Sequence, residues 1–453
     1  MEDRQMICTV KIVTLGCPKN LVDSRQIKGY LIKEGYSLVD DVSEARVIIV
    51  NTCGFIEDAK RESIETIIEM LQYKENGTCK YLVVAGCLAQ KYVDELTREI
   101  PEIDAIVGTG DIPIIPKVLS GLDFKQQVNY VGNPNSFLYN LDLPQMPSET
   151  EHYAYLKIAE GCDNACSYCV IPAMRGSYRS RKMEEIIQEA NNLVKQGIKE
   201  IILIAQDTTL YGYDLYGKLE LPNLLQELAR IEGIRWIRIL YSYPNNITDE
   251  LLYTIKKEKK ICSYLDIPLQ HISDSVLGSM GRPMTRKETE NLILRIRRII
   301  PEIILRSTFI IGFPGETKED FAELLSFINK TKFERAGFFA YSREPGTRAA
   351  ILDRQVSTKE KERRLENITT LQKEILSVTQ ASKIGQEVLI LVDGPSNDYE
   401  GLWEGRTEGD APEIDGVVYF ESKPGLLIGD FVYVKITHSQ EFALVGEIKN
   451  EFS

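Results

Sequence analysis

Three short apolar runs near the start of the chain each lead into a cysteine, and that placement constrains the fold more than any other feature. Val10 to Leu15 runs through Gly16 to Cys17. Val47 to Val50 runs through Asn51-Thr52 to Cys53. Tyr81 to Ala85 runs through Gly86 to Cys87. Amphipathic stretches lie between and after them, near Ser24 to Glu34, Asp58 to Lys74 and Gln90 to Glu99, and a fourth run covers Ala105 to Val107. Short apolar strands alternating with helices read as a parallel sheet with helices on both faces. Ligands of such a sheet bind at the carboxyl ends of its strands. Cys17, Cys53 and Cys87 are therefore predicted to meet in one crevice, with Gly16, Gly54 and Gly86 leaving room beside them. Three unrelated buried thiols are the alternative, which leaves the recurring position unexplained.

A second set is packed into eight residues, where Cys162, Cys166 and Cys169 follow the spacing C-x3-C-x2-C. A loop this tight can point three thiolates at one centre. Three are one short of a closed four-ligand zinc or cluster site, so one position stays open for a substrate or cosubstrate. A Cys3His zinc site is another reading, with His152 as fourth ligand; otherwise His152 is a surface residue at the start of a strand. A disulfide with one spare thiol fits poorly, because Met1-Glu2-Asp3-Arg4 does not read as a secretory signal. The cysteines number nine, an odd count that favours metal or thiol chemistry over a disulfide framework. Cys8, Cys79 and Cys262 read as ordinary thiols.

The spacing, with Tyr168 just before the last cysteine, resembles the signature of the radical S-adenosylmethionine (SAM) enzymes. The resemblance implies that Cys162, Cys166 and Cys169 hold a [4Fe–4S] cluster whose open iron binds SAM. It also implies that one electron from the cluster splits SAM into methionine and a 5′-deoxyadenosyl radical. That chemistry belongs to the cofactor, and the protein supplies position and exclusion of water.

By length alone, 453 residues suggest roughly two to four domains. Residues 1–140 form the first, and 141–151, with Pro144 and Pro147, read as a linker. In residues 152–380 strands are predicted at Tyr153–Ile158, Glu200–Ala205, Trp236–Leu240, Tyr264–Ile267, Ile303–Ile311 and Gly337–Tyr341, alternating with helices. Six β/α units suggest a partial (β/α)6 barrel with its active site at the carboxyl ends of the strands. The cysteine loop follows the first strand, where that rule puts it.

Polar words end the other strands. Gln206 and Asp207 could accept from the SAM ammonium; a helix cap is the other reading. Gly312, Pro314 and Gly315 lie in a loop that resembles the adenine- and methionine-contacting segment of the family. Arg175, with Arg179 and Arg181, reads either as part of a solvated basic patch or as a bidentate holder of a SAM or substrate carboxylate. His271 is placed near the barrel mouth, as a structural or a SAM-side residue. With Tyr168, these form the expected cofactor-binding set; no side-chain acid or base is expected to be catalytic.

Residues 381–453 change character. Short β-rich runs broken by Gly and Pro suit a small closed barrel, and their position and pattern resemble the OB-like TRAM domain. The segment carries five basic residues against fourteen acidic ones, a balance of −9 within the chain's −13. That balance repels a phosphate backbone and attracts a Lys/Arg-rich protein. No apolar run approaches the ~18 residues of a membrane span, and a cytoplasmic location is expected.

The strand-end cysteines of the first domain resemble those of the methylthiotransferases within the radical SAM enzymes. Cys17-Pro18-Lys19-Asn20-Leu21-Val22-Asp23-Ser24 looks like the branch that modifies a ribosomal protein, the RimO type. The tRNA-modifying branches more often carry Gln-Met/Thr-Asn after this cysteine. Asn51-Thr52-Cys53-Gly54, Gly86-Cys87-Leu88-Ala89-Gln90 and Ala411-Pro412-Glu413-Ile414-Asp415-Gly416 fit the same branch. Arg25 departs from it, where Glu is usual, with little expected consequence for the cluster.

The resemblance spans nearly the full length. It implies two [4Fe–4S] clusters, the second on Cys17, Cys53 and Cys87 and presenting sulfur. It implies a methylthio group placed on the β-carbon of an aspartate in a basic protein of the small ribosomal subunit. An electron donor such as flavodoxin or ferredoxin is implied as well, and nucleic acid is not expected as the primary substrate. Methylthiolation of an adenosine in tRNA is the alternative. A zinc- or cluster-containing RNA-binding protein without catalysis is a third reading, from a different class.

Overall fold

The computed structural model describes residues 8–121, 127–139, 141, 143, 146, 148, 150 and 152–452. Pro144 and Pro147 of the expected linker, and Met1 to Arg4, lie outside the described residues.

Six parallel strands make the first sheet: β1 (Thr9–Thr14), β2 (Ser37–Leu38), β3 (Val47–Thr52), β4 (Tyr81–Gly86), β5 (Ala105–Val107) and β6 (Val128–Tyr130), in the order β2-β1-β3-β4-β5-β6. Every residue of β3 is buried, which is why it reads as a continuous apolar run. One face packs Val10, Val47, Ile49 and Val83 against Ile27 and Leu31 of helix α1 (Pro18–Lys33). The other packs Ile48, Val50, Leu82 and Val84 against Ile67 and Met70 of helix α2 (Glu57–Asn76). The helix expected over Gln90 to Glu99 is two short ones, α3 (Cys87–Lys91) and α4 (Val93–Glu99), meeting at Tyr92.

The central strands are β7 (Tyr153–Lys157), the hairpin β8 (Ala159–Glu160) and β9 (Arg179–Ser180), then β10 (Glu200–Ile204), β11 (Trp236–Ile239), β12 (Tyr264–Asp266), β13 (Ile304–Ile311) and β14 (Arg335–Ala340). Parallel pairing gives β7-β10-β11 and β12-β13-β14, and an Ile237–Ile261 bridge joins the two trios. The result is the expected six-stranded partial barrel, whose core runs from Leu156 and Ile201 through Ile239 and Leu265 to Phe309.

The last five strands, β15 (Glu387–Pro395), β16 (Leu402–Thr407), β17 (Val418–Glu421), β18 (Phe431–Gln440) and β19 (Ala443–Phe452), close as β15-β16-β17-β19-β18. Closure removes the exposed edges an open sheet would leave.

The three units share one apolar cluster, in which Val22 of α1 meets Tyr153, Tyr155, Ile202 and Trp236 of the central barrel and Leu391, Ala411 and Phe431 of the last. Charge reinforces the join. Arg306 pairs with Asp415 at 2.7 Å, Arg406 pairs with Glu200 at 2.8 Å, and Arg335 pairs with Asp410. Asp410 and Asp415, with Asp393 held against His152, are spent on docking, so the acidity presented to a partner is smaller than the bare count implies. The word Ala411 to Gly416 is part of this joint: Asp415 also accepts from the Tyr264 hydroxyl and the Ala411 amide.

Candidate active site

Cys17 caps the start of α1, Cys53 follows β3, and Cys87 opens α3 after β4, so the parallel sheet delivers all three to its carboxyl edge. They stand near enough for the charge of each to act on its neighbours. Glycine makes the approach possible. Gly16 has φ +85, and a Cβ there would stand 2.5 Å from the Cys53 Cβ. Gly86 has φ +96, and its Cβ would meet the Asn51 Oδ1 at 2.5 Å.

In the central loop each thiol sulfur has a nitrogen beside it. The Asn164 Nδ2 is 3.4 Å from Cys162 Sγ, the Ile171 amide 3.4 Å from Cys169 Sγ, and the Arg282 Nη1 3.9 Å from Cys166 Sγ. Burial pushes both the Cys87 and Cys169 thiols up to about 12. They become thiolates only beside a strong positive charge, which a bound metal centre supplies.

Among the described residues, no three ligand side chains close on one point as they would around a single ion. The zinc reading loses its fourth ligand. His152 is 5% exposed and its Nε2 lies 2.6 Å from Asp393. It stands at the amino end of β7, on the order of 15 Å of strand away from the loop. It is neither a surface residue nor near the cysteines.

The first set touches the segment that follows the second. Cys87 packs directly on Val170 and Met174, the residues just past Cys169. Arg175, expected at a SAM carboxylate or in a solvated patch, is buried between the sets. Its Nε donates to Cys87 Sγ at 3.1 Å, and its Nη atoms donate to Asn20 at 2.6 Å, Asp23 at 2.5 Å and Glu160 at 3.4 Å. Lys157 joins the same knot, bonded to Asp23 and, at 2.7 Å, to Glu160. Burial works to raise the Glu160 carboxyl, but Lys157 and Arg175 outweigh it and hold the group down at about 2. Two cations and two anions cancel inside the joint. Arg181 is fully buried against Glu189, and Arg179 bonds Asn135 and nearby carbonyls. Arg25 also acts at the joint, donating to the Tyr155 carbonyl at 2.5 Å.

The remaining expected residues divide. Gln206 donates to Glu160 at 2.6 Å, while its buried Oε1 has no partner; that orphaned acceptor beside the cysteine loop fits an ammonium donor. Asp207 is consumed by its own turn and by the loop past β11, accepting from Thr209 and Leu210 through Oδ1 and from Asn246 through Oδ2. The loop of Gly312, Pro314 and Gly315 follows β13 and is tied from within by Glu316, which accepts from the Gly312 and Phe313 amides. Its Phe313 ring meets Tyr168 edge-on at 6.3 Å, so this loop and the cysteine loop do come together.

His271 is fully buried, its Nδ1 accepts from the Ser273 amide, and its Nε2 lies 3.8 Å from Glu316. Burial lowers this imidazole to about 4 from 6.5, with Asp320, Arg364 and Glu316 facing it. Between those values the unfolded chain takes up the proton and the fold does not. Stability should therefore fall as the pH drops from 6.5 to 4, by roughly 3 kcal/mol more in wild type than in His271→Asn. Urea unfolding midpoints across that range check it.

Sequence reasoning missed Arg282, Asn164, Glu160 and Lys157 as site residues, and it missed two strained backbones at the barrel mouth. Tyr241 (φ 61) and Gln270 (φ 75) are left-handed non-glycine residues just past β11 and β12. Such outliers cluster at functional sites.

Three family descriptions match the chain: Uncharacterized protein family UPF0004 over residues 9–108, the Radical SAM superfamily over 156–328 and the TRAM domain over 384–448. The ribosomal protein uS12 methylthiotransferase RimO of Pelotomaculum thermopropionicum is 50% identical over 97% of this chain and 98% of its own length. Those of Clostridioides difficile and Geotalea uraniireducens are each 48% identical, over 98% and 97% of this chain and 99% and 98% of theirs. In fold the chain is similar to the radical SAM methyltransferase TsrM from Kitasatospora setae, with TM-score 0.56 and 16% identity over 76% of this chain and 77% of that one. Among the described residues no helix is long and apolar enough to cross a membrane. SAM and iron–sulfur chemistry are the common property of the matched superfamily, and this chain belongs to the RimO-type radical SAM methylthiotransferases.

Proposed function

We propose that the protein replaces a β-C–H bond of an aspartate in ribosomal protein uS12 with C–SCH3. The observation that carries this reading is the packing of Cys87 against Val170 and Met174, just past the second cysteine set, in a chain about half identical to uS12 methylthiotransferases along its whole length. Cys162, Cys166 and Cys169 would hold one [4Fe–4S] cluster, and Cys17, Cys53 and Cys87 the other. When bound, SAM and the clusters supply a hydrogen-abstracting radical and the methylated sulfur. An unactivated C–H is too weak an acid for any side-chain base poised near neutral pH, which is why such chemistry is needed.

The chain's own groups bind and orient. The free Gln206 Oε1 accepts from the SAM ammonium. Tyr168 and Phe313 form an apolar wall beside the open position. Arg175 and Lys157 neutralise the joint so that it can exclude water. The domains span 1–140, 152–380 and 381–453, an acidic last barrel suits a basic ribosomal protein, and a flavodoxin- or ferredoxin-like protein supplies electrons in the cytoplasm.

The test is the mass of uS12 and of its peptides from cells with and without the gene. One aspartate is expected to carry a methylthio group that disappears with the gene. An unmodified uS12 alongside altered tRNA nucleosides would overturn the reading.

A further inference from the structure

We propose that Lys19 binds the side-chain carboxylate of the aspartate being modified and so determines that the acceptor is an acid. The proposal rests on the methylthiotransferase reading above and adds to it the group that recognises the acceptor.

Lys19 sits two residues past Cys17 on α1 and is 8% exposed. Its ammonium lies 3.0 Å from the centre of the Tyr241 ring. Among the described residues it has no hydrogen-bond or ion-pair partner. The charged groups that face it are Cys17, Asp266, Glu160 and Arg175. Both carboxylates are engaged elsewhere. Asp266 accepts from the Tyr241 amide at 2.9 Å and faces Arg306, and Glu160 is held by Lys157, Arg175 and Gln206. The neighbouring cations of the crevice, Lys157, Arg175 and Arg282, all have partners.

A nearly buried ammonium left over an aromatic face is costly unless an anion completes it. Strain points the same way. Tyr241, whose ring stands under the ammonium, has φ 61, a backbone conformation a non-glycine residue adopts only when its surroundings force it. The crevice between Cys17 and the ends of β11 and β12 thus holds a preformed carboxylate receptor. In an aspartate the carboxylate carbon is bonded to the β-carbon itself. Anchoring the one beside the N-terminal cysteines places the reacting C–H between the two cysteine sets.

The test is equilibrium binding, by the iron-loaded enzyme, of unmodified uS12 and of uS12 with its target aspartate changed to asparagine. Wild type should prefer the aspartate form by about 10-fold or more, the worth of one charge-assisted contact. Lys19→Met should bind both forms alike, and Lys19→Arg, which keeps the charge, should restore part of the preference. A preference that survives in Lys19→Met overturns the proposal. So does a loss of SAM affinity of equal size measured without uS12, which would hand the ammonium to the cosubstrate carboxylate. If Lys19→Met does not keep its iron, Lys19→Arg decides, and no preference in that variant counts against the proposal. A wild-type enzyme that fails to modify uS12 at all overturns the functional reading instead, a result distinct from each of these.

Discussion

Changing Cys17, Cys53 and Cys87 together to alanine is expected to remove about half of the bound iron and to abolish methylthio transfer, while reductive cleavage of SAM remains measurable. The expectation follows from how the two sets are built. The N-terminal thiols stand on the ends of β1, β3 and β4. The central thiols are surrounded by Asn164, the Ile171 amide and Arg282, all from the barrel itself. Removing the first set leaves those three nitrogens beside the central thiols in place. The converse triple, at Cys162, Cys166 and Cys169, should lose cleavage and transfer together and keep the other half of the iron. Anaerobic iron and sulfide analysis, with chromatography of 5′-deoxyadenosine, reads all of this. Equal iron in wild type and the N-terminal triple would dismiss the second cluster.

That two-set design was legible because both sets leave local marks. The central one is a contiguous word. The N-terminal one recurs at the same point after three apolar runs, and a parallel sheet converts that recurrence into proximity. The six barrel strands were legible for the same reason, since buried strands between amphipathic helices keep their apolar signal. No apolar run marks β16, because its buried residues are Gly405, Arg406 and Thr407, and an arginine paired with Glu200 and Asp393 does not look like core. β2 and β6 were missed because two- and three-residue edge strands carry almost no pattern.

The joint between the units was not legible. Arg175, Arg179 and Arg181 are close in sequence and read as one basic patch, yet each has its own set of partners, several of them from distant segments. Nothing local marks Asp23 or Glu160 as the anions that draw Arg175 inward. The Arg25 departure was expected to be inert by reasoning about the cluster alone; its partner, the Tyr155 carbonyl, belongs to another unit. Charge counting over residues 381–453 could not separate carboxylates that face a partner from those that face Arg306, Arg335 and Arg406. Long-range ion pairs have no period, so sequence reading assigns such residues to the surface by default.

Arg175→Met should therefore behave as a broken joint. Its loss leaves Asp23 and Glu160 buried with Lys157 as their one remaining cation in the knot, and an uncompensated buried charge of this kind costs about 3–5 kcal/mol. Cys87 loses the guanidinium that donates to its sulfur at 3.1 Å, so iron at the N-terminal set should fall as well. Arg175→Lys should recover little, because one ammonium cannot reach Cys87, Asn20, Asp23 and Glu160 from the places the guanidinium fork reaches them. Adding Asp23→Asn to Arg175→Met restores the balance of charge, and the pair should be less destabilised than the two single changes predict when added, by at least about 1 kcal/mol. Thermal unfolding of the four proteins measures that coupling, and SAM binding measured beside it separates the two roles considered for Arg175. A holder of the SAM carboxylate would lose SAM affinity with its unfolding temperature unchanged and show no coupling to Asp23. A residue that locks the two cysteine sets together loses stability and iron first, and its coupling to Asp23 is large.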